Sequence, residues 1–237
     1  MQTTDSDTIL SDTLTNGGKS RLRLVIGNKN YSSWSMRPWV AMTAFGIRFE
    51  ETRILLDRPD TAIRIAEVCA AGRVPVLLAG AITVWDSLAI CEYLAEQFPD
   101  LHLWPQDVAA RAMARSICAE MHSGFNGLRS AMSMNIRMPF PGKGRTPDAQ
   151  ADIGRICEIW EECLARFGHH QFLFGAFSIA DAYYSPVVMR FRGYQVALAP
   201  ALQAYADRVA AHPAVAQWMR EALAEPERSV KHDAGPD

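Results

Sequence analysis

The sequence lacks the cysteine patterns of a disulfide-rich or zinc-binding protein. Its five cysteines, spread over 237 residues, form no Cys-x-x-Cys pair and no cysteine and histidine spacing typical of a zinc site. We therefore expect no structural metal and no disulfide framework. Unpaired thiols are typical of a reducing compartment, so we expect a cytoplasmic protein.

An excess of charge and a leader segment are also absent. Lysine and arginine number 24 against 26 acidic residues, which gives a formal net charge of -2. Nucleic-acid and membrane-surface binders usually carry a basic patch, so neither partner is expected. Residues 1–20 offer no basic start and no continuous apolar run, which argues against a signal peptide and predicts a disordered tail.

What is present in residues 21–98 is an alternation of strand and helix patterns. Short runs rich in apolar and β-branched residues predict strands, and apolar residues at helical spacing between them predict helices. The resulting order is βαβαββα, with a hairpin turn at residues 79–81. The strands are expected at 22–26, 49–56, 72–78 and 82–85, and the helices at 38–45, 62–70 and 88–98.

The second half reads as helical throughout. A proline-bracketed linker, residues 99–106, leads into a predicted helical domain at 107–224. One apolar stripe predicts a long first helix that runs through Phe125 to Met132, and Ser178 and Asp181 have the spacing of a capping box at the start of a later helix. Residues 225–237 read as a frayed tail.

Three motifs lie at the ends of these elements. The turn at residues 30–38 places Ser32, Ser33 and Ser35 at a helix N-terminus, where unpaired amides and the helix dipole favour an anion or a thiolate. We expect Ser35 to be the N-cap.

The second motif, Val74-Pro75, starts a strand. An X-Pro bond can be cis and can present its backbone to an extended peptide, although most such bonds are trans. The third motif, Asp86-Ser87, reads as an N-cap or as a site for an amino-acid end group. In the second reading Asp86 pairs with the ammonium and Ser87 with the carboxylate.

The order of these motifs over about residues 22–223 resembles the cytosolic glutathione S-transferase family. Residues 32–35 look like the serine signature of its zeta and theta-like classes, Val74-Pro75 like its cis-proline, and Asp86-Ser87 like its γ-glutamyl site. The resemblance implies a thioredoxin-like domain at 21–98 that binds glutathione, and a helical domain that supplies most of the second-substrate pocket. It also implies glutathione as co-substrate, a role in detoxification and a homodimer.

The resemblance also implies roles for individual residues. Ser32 or Ser33 donates a hydrogen bond to the glutathione sulfur, and the spacing leaves the choice between them open. A donor and a helix N-terminus together stabilise a thiolate, which makes a better nucleophile than a thiol. Arg73 is a candidate ligand of the glycine carboxylate. The candidates for the second-substrate side are Tyr31, Trp34, His122, Phe125 and Arg137.

The leading hypothesis is a transferase in which the glutathione thiolate attacks a small apolar electrophile. Zeta-class maleylacetoacetate isomerases are similar in the serine turn but have a cysteine where Trp34 stands, so glutathione-dependent isomerisation is kept as an alternative. A third hypothesis is a weakly catalytic interaction module that retains the fold, because fold does not fix function.

Overall fold

The computed structural model of the chain describes residues 21–169 and 171–235, so the tail predicted for residues 1–20 lies outside the described residues. Its first half contains one sheet with the strand order β2-β1-β3-β4, in which β1 is parallel to β2 and antiparallel to β3. The strands are β1 (Leu22–Ile26), β2 (Glu50–Arg53), β3 (Val76–Ala79) and β4 (Ile82–Val84). With helices α1 (Ser33–Ala44), α2 (Thr61–Ala66) and α3 (Ser87–Gln97), they confirm the predicted βαβαββα fold.

Side chains alternate along each strand, so β1 contributes apolar residues to both faces of the sheet. Leu24 and Ile26 of β1 belong to the main core together with apolar side chains of α1 and α3. Val25, between them, points the other way and packs with Val76 and with Ile65 of α2. The serine turn between β1 and α1 therefore lies at the end of a strand that is fixed from both sides.

The second half is helical, as predicted. Helix α7 lies at its centre, packs against α1, α4 and α8, and is buried over most of its length. No helix of the described ranges is long and apolar enough to cross a membrane. The helices are α4 (Val108–Ser123), α5 (Asn126–Ala131), α6 (Pro147–Cys163), α7 (Ile179–Tyr194), α8 (Pro200–Ala211), α9 (Pro213–Ala224) and α10 (Val230–Asp233).

The capping box predicted at the start of α7 is confirmed. Ser178 is the N-cap, and the Asp181 carboxylate accepts the Ser178 amide at 2.9 Å. The same carboxylate accepts the amide of Leu173 at 3.1 Å and the hydroxyl of Tyr205 at 3.2 Å. A fully buried carboxylate therefore joins the start of α7 to the preceding loop and to α8.

The single long helix predicted through Phe125 and Met132 is wrong. The helix ends at Ser123, and Phe125 has a left-handed backbone with φ of 60° before α5 begins. The new direction lays α5 on α6 so closely that a Cβ at Gly127 would come within 2.6 Å of the Asp148 carbonyl carbon. The apolar spacing carried no signal of this break, because the residues on both sides of it are buried in one core.

The frayed tail predicted from residue 225 is also wrong for the part that the structure describes. Glu225 is buried, and its carboxylate accepts the backbone amides of Lys29 at 2.7 Å and Asn30 at 3.1 Å. Arg53 of β2 pairs with the same carboxylate at 2.8 Å. A buried carboxylate needs such partners. All three lie far from Glu225 in the sequence, so local composition could not reveal them.

Candidate active site

The serine turn forms the N-terminus of α1, and Ser32, rather than the predicted Ser35, is the N-cap. The Ser32 hydroxyl accepts the Ser35 amide at 3.4 Å and donates to the Ser35 hydroxyl at 2.8 Å. Ser35 lies in the first turn, fully buried, and its oxygen accepts the Gly27 amide at 3.1 Å. The proton of the Ser32 hydroxyl is therefore used inside the turn.

The neighbouring serine has a different partner. The oxygen of Ser33 accepts a hydrogen bond from Nη2 of Arg190, on α7, at 3.1 Å. This contact uses a lone pair and leaves the Ser33 proton available to a further acceptor. A hydroxyl that accepts from a cation is also a stronger donor, because the cation polarises it.

The two other motifs face the same side of the domain. The Val74–Pro75 peptide bond is cis. Asp86 is the N-cap of α3, where its carboxylate accepts the Leu88 amide at 3.1 Å, and Ser87 begins the helix with its side chain buried.

These motifs meet in a cleft between the two halves of the chain. Its volume is about 440 Å³. Neither Ser32 nor Ser33 lines it, and both are nearly buried behind the surface that Trp34 presents. Of the second-substrate candidates, Trp34 and His122 line the cleft. Its lining residues are Trp34, Ala71, Arg73, Val74, Pro75, Trp85, Asp86, Ser87 and His122.

Trp34 is packed between cationic and aromatic groups. The guanidinium carbon of Arg37 lies 4.2 Å from the centre of its ring and that of Arg129 lies 4.4 Å away. The His122 ring meets it edge-on, with 5.3 Å between the ring centres. Cations stacked on an indole face are attracted by its negative face, so these contacts fix the orientation of Trp34 at the cleft.

The guanidinium groups of Arg37, Arg129 and Arg190 thus lie behind the serine turn without a paired carboxylate in the described part of the chain. Burial, followed by the charge of Arg37, lowers the pKa of Arg129 to about 10 and that of Arg190 to about 9. Burial also lowers the pKa of Arg37, whose Nη1 is buried without a hydrogen-bond partner. The ion pairs found among the described residues include none of these three arginines. The site behind Trp34 is therefore electropositive.

A chain of hydrogen bonds crosses the cleft from α3 to the helical domain and back. Nε2 of His122, on α4, lies 3.1 Å from the Asp86 carboxylate. Nδ1 of the same ring lies 2.7 Å from the hydroxyl of Tyr183, on α7, and that hydroxyl lies 3.1 Å from the Ser87 hydroxyl. Asp86 and Ser87 are thereby joined through the side chains of His122 and Tyr183 in the helical half.

Three of the candidates for the second-substrate side do not line the cleft. The Tyr31 hydroxyl is held by the amide of Ser229 at 3.0 Å and the carboxylate of Asp233 at 2.9 Å, under the C-terminal segment. Arg137 donates to the backbone carbonyls of Glu225 and Glu227 in that segment and to the carbonyl of Ala222 near the end of α9. Phe125 is buried in the main core. The sequence could not show that the C-terminal segment covers this side.

Sequence reasoning missed Arg37, Arg129 and Tyr183. Arg37 follows the serine turn directly, yet an arginine in a helix is usually a solvated surface group. Tyr183 lies two residues after the capping box, which places it in the second turn of a buried helix but does not reveal what it faces. Within the described residues no group of three or more histidine, cysteine or acidic side chains is arranged to hold a metal ion.

The comparisons with known proteins agree with this architecture. The N-terminal and C-terminal domain models of glutathione S-transferases match residues 31–97 and 110–221. The sequence is 30% identical to maleylacetoacetate isomerase of Rattus norvegicus over 173 residues, which are 71% of this chain and 78% of that protein. It is 32% identical to a probable maleylacetoacetate isomerase of Caenorhabditis elegans over 105 residues. That match covers 44% of this chain and 49%, about half, of the relative.

A solved structure extends the comparison to three dimensions. The fold matches a crystal structure of a glutathione transferase homologue from Burkholderia GL BGR1 with bound glutathione, with a TM-score of 0.66 and 25% sequence identity. The match covers 85% of this chain and 98% of that one. The chain belongs to the glutathione S-transferase family.

Proposed function

We propose that the protein is a glutathione transferase whose glutathione lies in the cleft between Trp34, the Val74-Pro75 edge and the Asp86-Ser87 helix start. The observation that carries the proposal is the convergence of these motifs on one cleft of about 440 Å³. Ser87 and Asp86 take the carboxylate and ammonium of the γ-glutamyl end, and Pro75 and Val74 pair with the peptide backbone. Arg73, on the same cleft, takes the glycine carboxylate. The glutathione in the Burkholderia homologue's structure supports the choice of ligand.

Ser33 is the hydroxyl that we assign to the glutathione sulfur. Because Ser33 is buried and does not line the cleft, this assignment requires the sulfur to pass Trp34 and reach the start of α1. The proton of Ser32 is used by Ser35, whereas the Ser33 oxygen accepts from Arg190 and keeps its proton free. The amides at the start of α1 and the guanidiniums around Trp34 add positive potential. Together they favour the thiolate, which is the nucleophile.

The second substrate is a small apolar electrophile that enters beside Trp34, Trp85 and His122. The aromatic side chains that line the cleft provide apolar contact area. We further propose a cytoplasmic homodimer with a role in detoxification. The five free cysteines support a reducing compartment, and the exposed Ile82 on the edge strand β4 supports a partner surface.

The proposal is tested by binding and turnover on the same preparation. Titration calorimetry with glutathione is expected to show one site per chain, and assays with aryl halides, epoxides and peroxides to show glutathione-dependent product. Light scattering reports the dimer separately. Absence of glutathione binding at millimolar concentration would sink the proposal, and binding without turnover on any electrophile would favour the weakly catalytic interaction module.

The two serines are expected to respond differently to replacement by alanine. Ser33→Ala removes the donor to the sulfur, so the pKa of bound glutathione should rise by about one unit. Ser32→Ala removes a helix cap and should mainly lower the free energy of unfolding, by about 1 kcal/mol. Ultraviolet titration of the bound thiolate and urea unfolding measure the two effects. The assignment of Ser33 fails if Ser32→Ala gives the larger change in thiol pKa.

Glutathione-dependent isomerisation is the second candidate because both curated relatives described above carry the name maleylacetoacetate isomerase. Trp34 opposes it, since the indole fills the place of a cysteine in the similar isomerases. We expect the unmodified protein to convert a maleyl ketone poorly and Trp34→Cys to convert it at least about tenfold faster, because the smaller side chain opens the cleft. Nuclear magnetic resonance of the cis and trans products, without loss of glutathione, is the measurement.

A further inference from the structure

The hydrogen-bond chain from Asp86 through His122 and Tyr183 to Ser87 has a direction that follows from counting protons. An aspartate carboxylate only accepts, so the His122 nitrogen at 3.1 Å from Asp86, Nε2, must carry a proton. In a neutral imidazole the other nitrogen is then a bare acceptor, and the Tyr183 hydroxyl at 2.7 Å must donate to it. Tyr183 has only one proton, so the Ser87 hydroxyl at 3.1 Å must donate to Tyr183.

Protonation of the imidazole reverses the chain. With a proton on both nitrogens, His122 donates to the Tyr183 oxygen as well as to Asp86. The Tyr183 hydroxyl then turns its proton to Ser87, and the Ser87 proton is released. Burial raises the pKa of Tyr183 by more than Arg37 and the Ser87 hydrogen bond lower it, so the phenol keeps its proton in both states.

We propose that His122 and Tyr183 are positioning residues that decide whether the Ser87 hydroxyl is free to donate to the carboxylate of the γ-glutamyl end. This inference rests on the proposed binding of glutathione at Asp86 and Ser87. When His122 is neutral, the Ser87 proton is held by Tyr183 and the carboxylate receives only backbone donors of the α3 N-terminus. When His122 is charged, the carboxylate gains the Ser87 hydroxyl. Binding of glutathione is therefore coupled to uptake of a proton.

The ionisable groups around His122 and Tyr183 come from several elements of the fold. Asp86 faces it from the start of α3 and Tyr183 from α7. The guanidinium carbon of Arg37, on α1, lies 4.4 Å from the centre of the Tyr183 ring, Arg129 stacks on Trp34, and Arg73 also lines the cleft. Histidine is the type of side chain whose ordinary pKa lies between about pH 5.5 and pH 8. Asp181, whose pKa burial raises to about 6, takes its hydrogen bonds from Leu173, Ser178 and Tyr205, which are outside this hydrogen-bond chain.

Replacement of Tyr183 by phenylalanine tests the direction of the chain. The probe is S-methylglutathione, whose sulfur does not titrate, in calorimetry at about pH 5.5 and about pH 8. For the unmodified protein we expect about tenfold weaker binding at the higher pH, the value of one hydrogen bond to a charged group. Tyr183→Phe frees the Ser87 proton at both pH values, so it should bind about tenfold more tightly than the unmodified protein at pH 8 and equally at pH 5.5.

Ser87→Ala gives the complementary result. It lacks the hydroxyl, so it should match the unmodified protein at pH 8 and bind about tenfold more weakly at pH 5.5. Tyr184→Phe is the matched control, because Tyr184 is the next residue, is equally buried, and donates to the Ile117 carbonyl at 3.1 Å outside the chain. It should leave the pH dependence of binding unchanged.

If Tyr183 had only a structural role, Tyr183→Phe would weaken the binding of S-methylglutathione at both pH values. That result would overturn the inference. A second readout is the binding enthalpy near pH 7 in buffers of different ionisation enthalpy, which reports proton uptake. Uptake should be present in the unmodified protein and reduced in Tyr183→Phe; equal uptake in both contradicts the coupling. Absence of any binding at both pH values instead removes the proposed function itself.

Discussion

Replacing Arg37 with methionine is expected to lower conjugation activity at neutral pH by about tenfold while leaving the protein at least as stable. Arg37 is fully buried beneath Trp34, its Nη1 has no hydrogen-bond partner, and burial lowers its pKa. Arginine nevertheless stays protonated in proteins. A nearby cation lowers the pKa of an acid by one unit or more, so its loss raises the pKa of bound glutathione and reduces the thiolate fraction about tenfold.

The stability side of this prediction follows from the cost of burying a charge. A buried ion without a partner of opposite charge is destabilising, and an apolar side chain of similar length removes that cost. Thermal unfolding and ultraviolet titration of the bound thiolate measure the two effects on the same variant. Arg155→Met serves as the control, because Arg155 is an exposed arginine paired with Glu120 at 2.7 Å. A loss of activity that is matched by a fall in melting temperature would make Arg37 a structural residue.

Asp181→Ala is expected to lower the free energy of unfolding by about 3–5 kcal/mol, the range for removing one partner of a buried charged network. The carboxylate is fully buried and accepts the amides of Leu173 and Ser178 and the hydroxyls of Ser178 and Tyr205. Alanine leaves these donors buried and unpaired. Urea unfolding measures the loss. Ser178→Ala, which removes only the cap, should cost about 1 kcal/mol.

The pH dependence of this stability difference has a definite sign. Burial, the largest cause, raises the pKa of Asp181 from 3.8 to about 6 in the folded protein. A group with a raised folded pKa contributes stability that is fully present below the unfolded pKa and is lost as the pH rises through the folded pKa. The stability gap between the unmodified protein and Asp181→Ala should therefore narrow by about 2 kcal/mol between pH 4 and pH 7. A stability difference that grows as the pH rises would contradict this prediction.

The sequence predicted the fold well because the signals that set its elements are local. The hydrophobic period, the Asp86 N-cap and the capping box at Ser178 act within a few residues of themselves. The helix break before α5 escaped prediction because a left-handed Phe125 is stabilised by the packing of α5 on α6, which has no counterpart in the apolar spacing.

The candidate site likewise has one part that the sequence predicts and one part that it does not. Trp34, the Val74-Pro75 pair and the Asp86-Ser87 pair stand at the ends of predicted elements, and the topology of the sheet brings such ends to one side. Tyr31 and Arg137 were assigned to the pocket by proximity in sequence to the turn or to its facing helix. Both instead contact the C-terminal segment, whose position depends on contacts such as that of Glu225 with Asn30, 195 residues apart.

The βαβαββα domain, the helical second half and the family follow from the order of residues, because local propensity, turn residues and motif order are properties of neighbouring residues. The partner of each serine hydroxyl, the arginines around Trp34, and the link from Asp86 to Ser87 through His122 and Tyr183 are instead set by packing between distant elements. The physical reason is that a hydrogen bond and the field of a buried charge depend on distances of a few ångströms. Those distances are set by the packing of α4 and α7 against α1 and α3, and no local pattern in the chain encodes them.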